Sequence, residues 1–222
     1  MLRDSIKVLK SRPQLYQAKL GVYLFIASLG VFFFASLIVY AVIRTSLSID
    51  LLPLEMPNSF LTSTLVLLGV SLFMHLAVQS IKSEKQKRFR AFLVLTSICV
   101  LGFLFLQCFG LFELLQTHFE HQAGFSKLYG ISFTLALVHA AHVFGGAVFL
   151  VYVWTQSLRG RYDHERHWTV DICATYWHFL DVIWILMLCT FWMTENLIQN
   201  GTFLWGFQVS VRVGLGGSAG WI

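Results

Sequence analysis

Six ionisable side chains lie inside otherwise apolar stretches of this chain: His75, Glu113, His139, His142, His178 and Asp181. Such groups are costly in hydrocarbon and usually face a protein interior, so each requires a reason. His139 and His142 are three residues apart and share one face of a helix. Two histidines on one face can begin a metal site, but zinc, haem or copper would need further ligands at the same depth. No thiolate pair accompanies them, and the preferred reading is a polar network that fastens helices together. His178 and Asp181 have the same three-residue spacing and can pair with each other or with a neighbour. An unpaired aspartate at that depth is expensive, so a buried partner is expected for Asp181. Glu113 sits within about a turn of a span end and can reach water. Trp177 and Trp184 are seven apart on one side of a helix, and Trp177 reads as part of an interfacial aromatic belt. Ala141 and Gly145 form a small-xxx-small pair. Gly146, four residues beyond His142, marks a close helix–helix seam on the histidine face.

The elements that must carry these groups are membrane helices. The chain is 57% hydrophobic and only 12% charged, with 21 Phe and 7 Trp. That is about half the charged share of an ordinary globular protein. Five stretches reach the roughly 20 apolar residues that span a bilayer: 20–43, 60–81, 91–116, 128–158 and 170–195. Backbone polar groups must be satisfied inside lipid, so each is a helix. The fold class is therefore an all-α integral membrane bundle of five transmembrane helices. The last two spans are longer than needed and are expected to tilt or protrude.

Charge gives the orientation. Of 16 Lys and Arg, thirteen lie before span one, between spans two and three, or between spans four and five. Only Arg44, Lys127 and Arg212 lie on the other side. By the positive-inside bias the N-terminus is inside and the C-terminus outside. The net charge of +5 reflects these flanking segments and contact with anionic lipid, and no nucleic-acid partner is expected. Cys99, Cys108, Cys173 and Cys189 fall within apolar runs as small hydrophobes. The first run is too long for a signal-peptide core. Residues 1–19 read as a cytoplasmic amphipathic segment punctuated by Pro13, residues 20–195 as the transmembrane domain, and residues 196–222 as a Gly-rich external tail. Within that tail, residues 207–213 alternate as a strand or an extended partner-binding arm would.

The same residues carry a resemblance. Tyr176-Trp177-His178-Phe179-Leu180-Asp181-Val182-Ile183-Trp184 resembles the last-helix signature of subunit III of cytochrome c and quinol oxidases. His139-x-x-His142-Val143-x-x-Gly146, Leu106-Gln107 followed by Glu113, and Leu24-Phe25-Ile26-Ala27-Ser28 with Phe32 and Phe33 are similar to further family motifs. Pro53-Leu54-Glu55 and Pro57-Asn58 resemble the loop leading into the second span. The motifs keep the family's order over about 20–195, a fold of five core helices often preceded by two more. Two departures stand out: Leu29 replaces a carboxylate associated with proton uptake, and Gly110 replaces a glutamate. No proton-related role is assigned to either position.

The resemblance implies a non-catalytic subunit of a respiratory haem–copper terminal oxidase, in a bacterial plasma membrane rather than a mitochondrial one. It would stabilise the catalytic subunit I, neighbour subunit II and bind structural phospholipid, with haem and copper held by the partner subunits and no cofactor of its own. Arg159, Arg161 and His167 are the candidate head-group contacts. His139, His142, Gly146, Tyr176, Trp177, His178, Asp181, Trp184 and Glu113 are the motif and packing residues. Alternatives are the same fold serving a nitric-oxide reductase or another respiratory complex, a stand-alone transporter or channel using Glu113, His139, His142, His178 and Asp181 as a polar path, and a metalloenzyme built on the span-four histidines. A transporter would need its polar groups to converge on one water-filled cavity.

Overall fold

A computed structural model describes residues 2–46, 58–120, 126–160, 162 and 167–199. They form five helices: α1 (Leu2–Ser46), α2 (Asn58–Lys82), α3 (Gln86–Glu120), α4 (Ser126–Leu158) and α5 (Trp168–Gln199). There is no strand among the described residues. All five are long and apolar enough to cross a membrane, over Lys19–Thr45, Phe60–Lys82, Gln86–Glu113, Gly130–Leu158 and Trp168–Asn196. The helices outrun the apolar windows because helix hydrogen bonding does not stop where lipid does. α3 begins at Gln86, five residues before the apolar run at 91. Where the sequence reads a separate surface segment over 1–19, α1 runs unbroken from Leu2 through Pro13. The loop motif around Pro53 and the tail from residue 200 lie outside the described residues.

Helices α2, α3, α4 and α5 pack as a ring in which each touches the next and α5 returns to α2. α1 leans on α5 and, more lightly, on α4, and does not meet α2 or α3. α5 is the most enclosed of the five spans and α1 the least. The core follows from this. Trp177, Trp184, Phe103, Met74, Leu67 and Val143 are fully buried. The outward faces carry side chains such as Leu65, Leu101, Phe105 and Val31, each about two-thirds exposed or more. Apolar residues outside and inside alike are what a lipid-solvated bundle requires.

The turn between α2 and α3 is short and closed by its backbone. Lys85 N–H donates to Ser80 O (3.0 Å) and Glu84 N–H to Ile81 O (3.1 Å). This is the Schellman pattern, and it places Glu84 in the left-handed region at φ 58°. α4 ends with Gly160 at φ 64°, its N–H donating to Ser157 O at 3.1 Å. Both turns lie at the end of the bundle that carries Lys82, Arg90 and Arg159, hereafter the basic end.

Candidate functional site

At the centre of the bundle is Trp184. Its indole Nε1–H donates to Thr64 Oγ1 on α2 at 3.0 Å. The rings of Phe60 and Phe103 meet it edge-on at 5.3 and 5.8 Å. His139 of α4 stacks on its other side at 5.1 Å with an interplanar angle of 28°. His139 is fully buried, and neither ring nitrogen has a hydrogen-bond partner among the described residues. The imidazole is therefore held by aromatic packing and not by the polar network that its residue type suggests. Phe33 of α1 lies edge-on to both His139 and His142, at 6.2 and 5.4 Å. His142 donates through Nδ1–H to Val138 O at 2.8 Å, within its own helix. The two histidines share a face against Phe33 but no common ligand or bond. No three His, Cys, Asp or Glu side chains converge as a metal site would among the described residues.

The α4–α5 seam turns on Gly146. A Cβ there would stand 3.0 Å from Tyr176 Cε1, 3.3 Å from Trp177 Cζ2 and 3.4 Å from Leu180 Cδ1. Gly145, by contrast, would meet only the Tyr176 hydroxyl at 3.9 Å. Close approach is thus required at 146 and not at the small-xxx-small partner 145. Tyr176 crosses the seam and donates its hydroxyl to His142 O at 3.0 Å. Trp177 is fully buried in this seam. It is a core residue and not a member of an interfacial belt, because the face that carries Trp184 inward carries Trp177 inward as well.

His178 and Asp181 do not pair with each other. Each turns toward Ser71 of α2, a residue that the sequence reading passed over. Ser71 Oγ makes a short hydrogen bond with His178 Nδ1. The same hydroxyl faces Asp181, but the buried carboxyl oxygens of Asp181 have no hydrogen-bond partner among the described residues. His75 follows one turn along α2, its ring 6.3 Å from that of His178. Gln79 follows after another turn, its amide 3.0 Å from His75 Nε2. Ser71, His75 and Gln79 are spaced by four, a pattern visible in the sequence once α2 is known to face α5.

The remaining sites lie at the two ends. Glu113 is exposed at the last residue of the third span. At the opposite end from the basic one, Arg44 of α1 and Glu195 of α5 form an ion pair at 2.8 Å with side chains only 3% and 15% exposed. Sequence reading counted Arg44 as a loop cation. Only tertiary packing reveals that the ends of two parallel helices bring it to Glu195. At the basic end Lys82 and His167 both bind Asp171, at 3.1 and 3.3 Å. His167 is thus engaged by the first turn of α5, Arg159 is exposed, and Arg161 lies outside the described residues. Tyr162 is buried there, edge-on to Phe89 at 6.4 Å, with Gln86 donating to its carbonyl at 3.1 Å. Burial, with smaller contributions from Tyr152 and Cys173, pushes its phenol up to about 12, against the opposing pull of Thr169.

Leu29, which stands where the resembling family has a carboxylate, packs with Phe33 and Ile183, with Val138 and Phe179 alongside. Tyr176 also packs against this cluster. An open groove of about 760 Å³ lies between α1 and α4, lined by Val31, Phe32, Val39, Ile131 and Leu135 among others. None of His75, Glu113, His139, His142, His178 and Asp181 lines it.

The comparisons with known proteins agree with the motifs. The family described as "Cytochrome c oxidase subunit III" matches residues 13–195. A "Cytochrome bo(3) ubiquinol oxidase subunit 3" from Buchnera aphidicola is 28% identical over 167 residues, covering 74% of this chain and 80% of that protein. "Cytochrome c oxidase subunit 3" of Heterololigo bleekeri is 31% identical over 190 residues, covering 78% of this chain and 69% of the relative. The mouse protein of that name is 32% identical over 136 residues, which span 61% of this chain and 49% of the relative. The chain therefore spans about half the length of the mammalian relative it matches.

Proposed function

The chain belongs to the cytochrome c oxidase subunit III family, and from that premise we propose that it is the non-catalytic third subunit of a respiratory haem–copper terminal oxidase. The observation that carries this reading is the extent of the match. Residues 13–195 take in all five spans and every motif residue from Leu24 to Trp184. In this role the chain steadies the catalytic subunit, which with its neighbours holds the haem and copper, and it binds phospholipid. The open, largely apolar groove between α1 and α4 supports lipid binding: its lining suits an acyl chain. Arg159, together with Arg161 and His167, is the proposed head-group contact at the basic end. The basic end faces the cytoplasm in this reading, by the excess of Lys and Arg there. The bacterial plasma membrane is the proposed location, in keeping with the larger share of the Buchnera relative that aligns. The relatives reported are oxidase subunits and none carries the name of a nitric-oxide reductase, so that alternative has no support of its own.

The test is the partner set. A tagged chain, purified from its native membrane in mild detergent, is expected to bring down a haem-containing subunit with a reduced-minus-oxidised haem spectrum. Recovery of the chain without any haem protein would overturn the reading.

A further inference from the structure

The proposed role leaves open which face of the bundle the partner uses. α1 and α2 both rest on α5 but do not touch each other among the described residues. Between them a strip of α5 is left uncovered. Toward the end remote from the basic one it is apolar: Val182 is 54% exposed, Met193 56%, and Ile185, Leu186 and Cys189 are also open. Toward the basic end the groove becomes polar. His178 lies on its floor, with Ser71, His75 and Gln79 on successive turns of its α2 wall; His75 and Gln79 are exposed.

The depth of these groups matters. His178 stands ten residues into α5 from Trp168, about 15 Å along the helix axis, and Ser71 stands eleven residues from Lys82, about 16 Å. Both lie within a hydrocarbon layer about 30 Å thick. Ser71 occupies His178 Nδ1. Nε2 has no hydrogen bond among the described residues, and it is not one of the buried unpaired atoms, so it opens into the groove. Lipid tails offer an imidazole nothing, and ionisable groups at such depth normally face protein. The outward face of α3 is the contrast. Ile98, Leu101, Phe105, Phe109 and Phe112 are all more than half exposed, an apolar surface suited to lipid. On the α1–α4 side His142 is bonded within its own helix, and Phe33 covers both it and the buried His139 edge-on.

We propose that the groove floored by α5 and walled by α1 and α2 seats a transmembrane helix of the haem-bearing partner subunit. That helix is apolar along Val182 and Met193 and presents a hydrogen-bonding side chain at the depth of His178 and His75. The proposal rests on the reading of the chain as an oxidase subunit, and it assigns the face by which that subunit is held.

Two native thiols test it without mutation. Cys189 lies in the groove, seven residues from Asn196, and Cys108 lies on the exposed face of α3, five residues from Glu113. They sit at similar depths from the same end of the bundle. In the purified complex, alkylation by a small maleimide is expected to be at least tenfold slower at Cys189 than at Cys108. Equal rates would overturn the proposal. A second measurement places p-benzoylphenylalanine at residue 182 and irradiates the purified complex. Capture of the haem-bearing subunit is expected; capture of a second copy of this chain, or of lipid alone, would sink it. If the unaltered chain brings down no haem protein, the oxidase reading itself fails. If it does so while Cys189 reacts freely, only the choice of face fails.

Discussion

Gly146 lies so close to Tyr176 that a single added methyl group would stand 3.0 Å from the ring carbon Cε1. Trp177 and Leu180 close the same space from the other side. The α4–α5 seam is therefore set by one hydrogen atom. Alanine at 146 gains about 1 kcal/mol of helix propensity but loses about 1–3 kcal/mol to overpacking. Gly146→Ala is expected to lower the thermal midpoint in detergent slightly, and Gly146→Val to lower it sharply. At the adjacent glycine the sign reverses, because the nearest atom is 3.9 Å away: Gly145→Ala should be neutral or stabilising. Equal responses at the two positions would contradict the packing described.

The Arg44–Glu195 ion pair ties α1 to the bundle at the end remote from the basic one. Removing one partner from a buried pair is destabilising, by about 3–5 kcal/mol. The exposure of Glu195 puts this pair at the lower edge of that range. Arg44→Met and Glu195→Leu are each expected to destabilise the purified chain, and the double substitution to restore most of the loss. Additive losses in this cycle would show that the pair does not act as a unit.

His139 is caged by aromatic rings with no hydrogen bond among the described residues. An unsatisfied buried polar group costs about 1–3 kcal/mol, and a phenyl ring keeps the stack on Trp184. His139→Phe is thus expected to leave the chain as stable as before or more so, and to leave recovery of its haem-bearing partner unchanged. Loss of that partner or of a bound metal on this substitution would revive a ligand role for the histidine.

Tyr162 makes stability depend on alkaline pH. Its phenol is raised from 10.0 to about 12 chiefly by burial, so the folded state favours the neutral form. The contribution is complete below pH 10 and is lost as the pH rises toward 12. A melting-temperature profile across that window should fall more steeply for the native chain than for Tyr162→Phe. Superimposable profiles would remove Tyr162 as the cause.

The two left-handed turn residues give an opposed pair. Glu84 at φ 58° and Gly160 at φ 64° both occupy left-handed positions at helix ends, where a side chain costs roughly 1–2 kcal/mol. Glu84→Gly should raise stability by about that amount and Gly160→Ala should lower it, both read by thermal unfolding.

How much of this was legible beforehand can be judged from particular residues. The five spans were, because lipid imposes a length and an apolar content that no soluble helix shares. The close approach at Gly146 was foreseen from residue type, and the family motifs from Tyr176 to Trp184 were recognisable as a string. The partners of those motifs were not. Ser71 is an ordinary serine until α2 is placed beside α5, and Arg44 is an ordinary flanking cation until α1 and α5 end side by side. Trp177 was misjudged as a belt residue because amphipathic aromatics near a span end usually meet head groups.

The order of residues thus decided which segments enter the membrane, since transfer into hydrocarbon depends on composition along the chain and on little else. Which side chains meet inside the bundle was decided only by tertiary structure. In a lipid-solvated protein the outer and inner faces of a helix are both apolar, so periodicity gives no bearing. Direction comes from close packing and a few hydrogen bonds between helices: Gly146 under Tyr176, Trp184 on Thr64, His178 on Ser71.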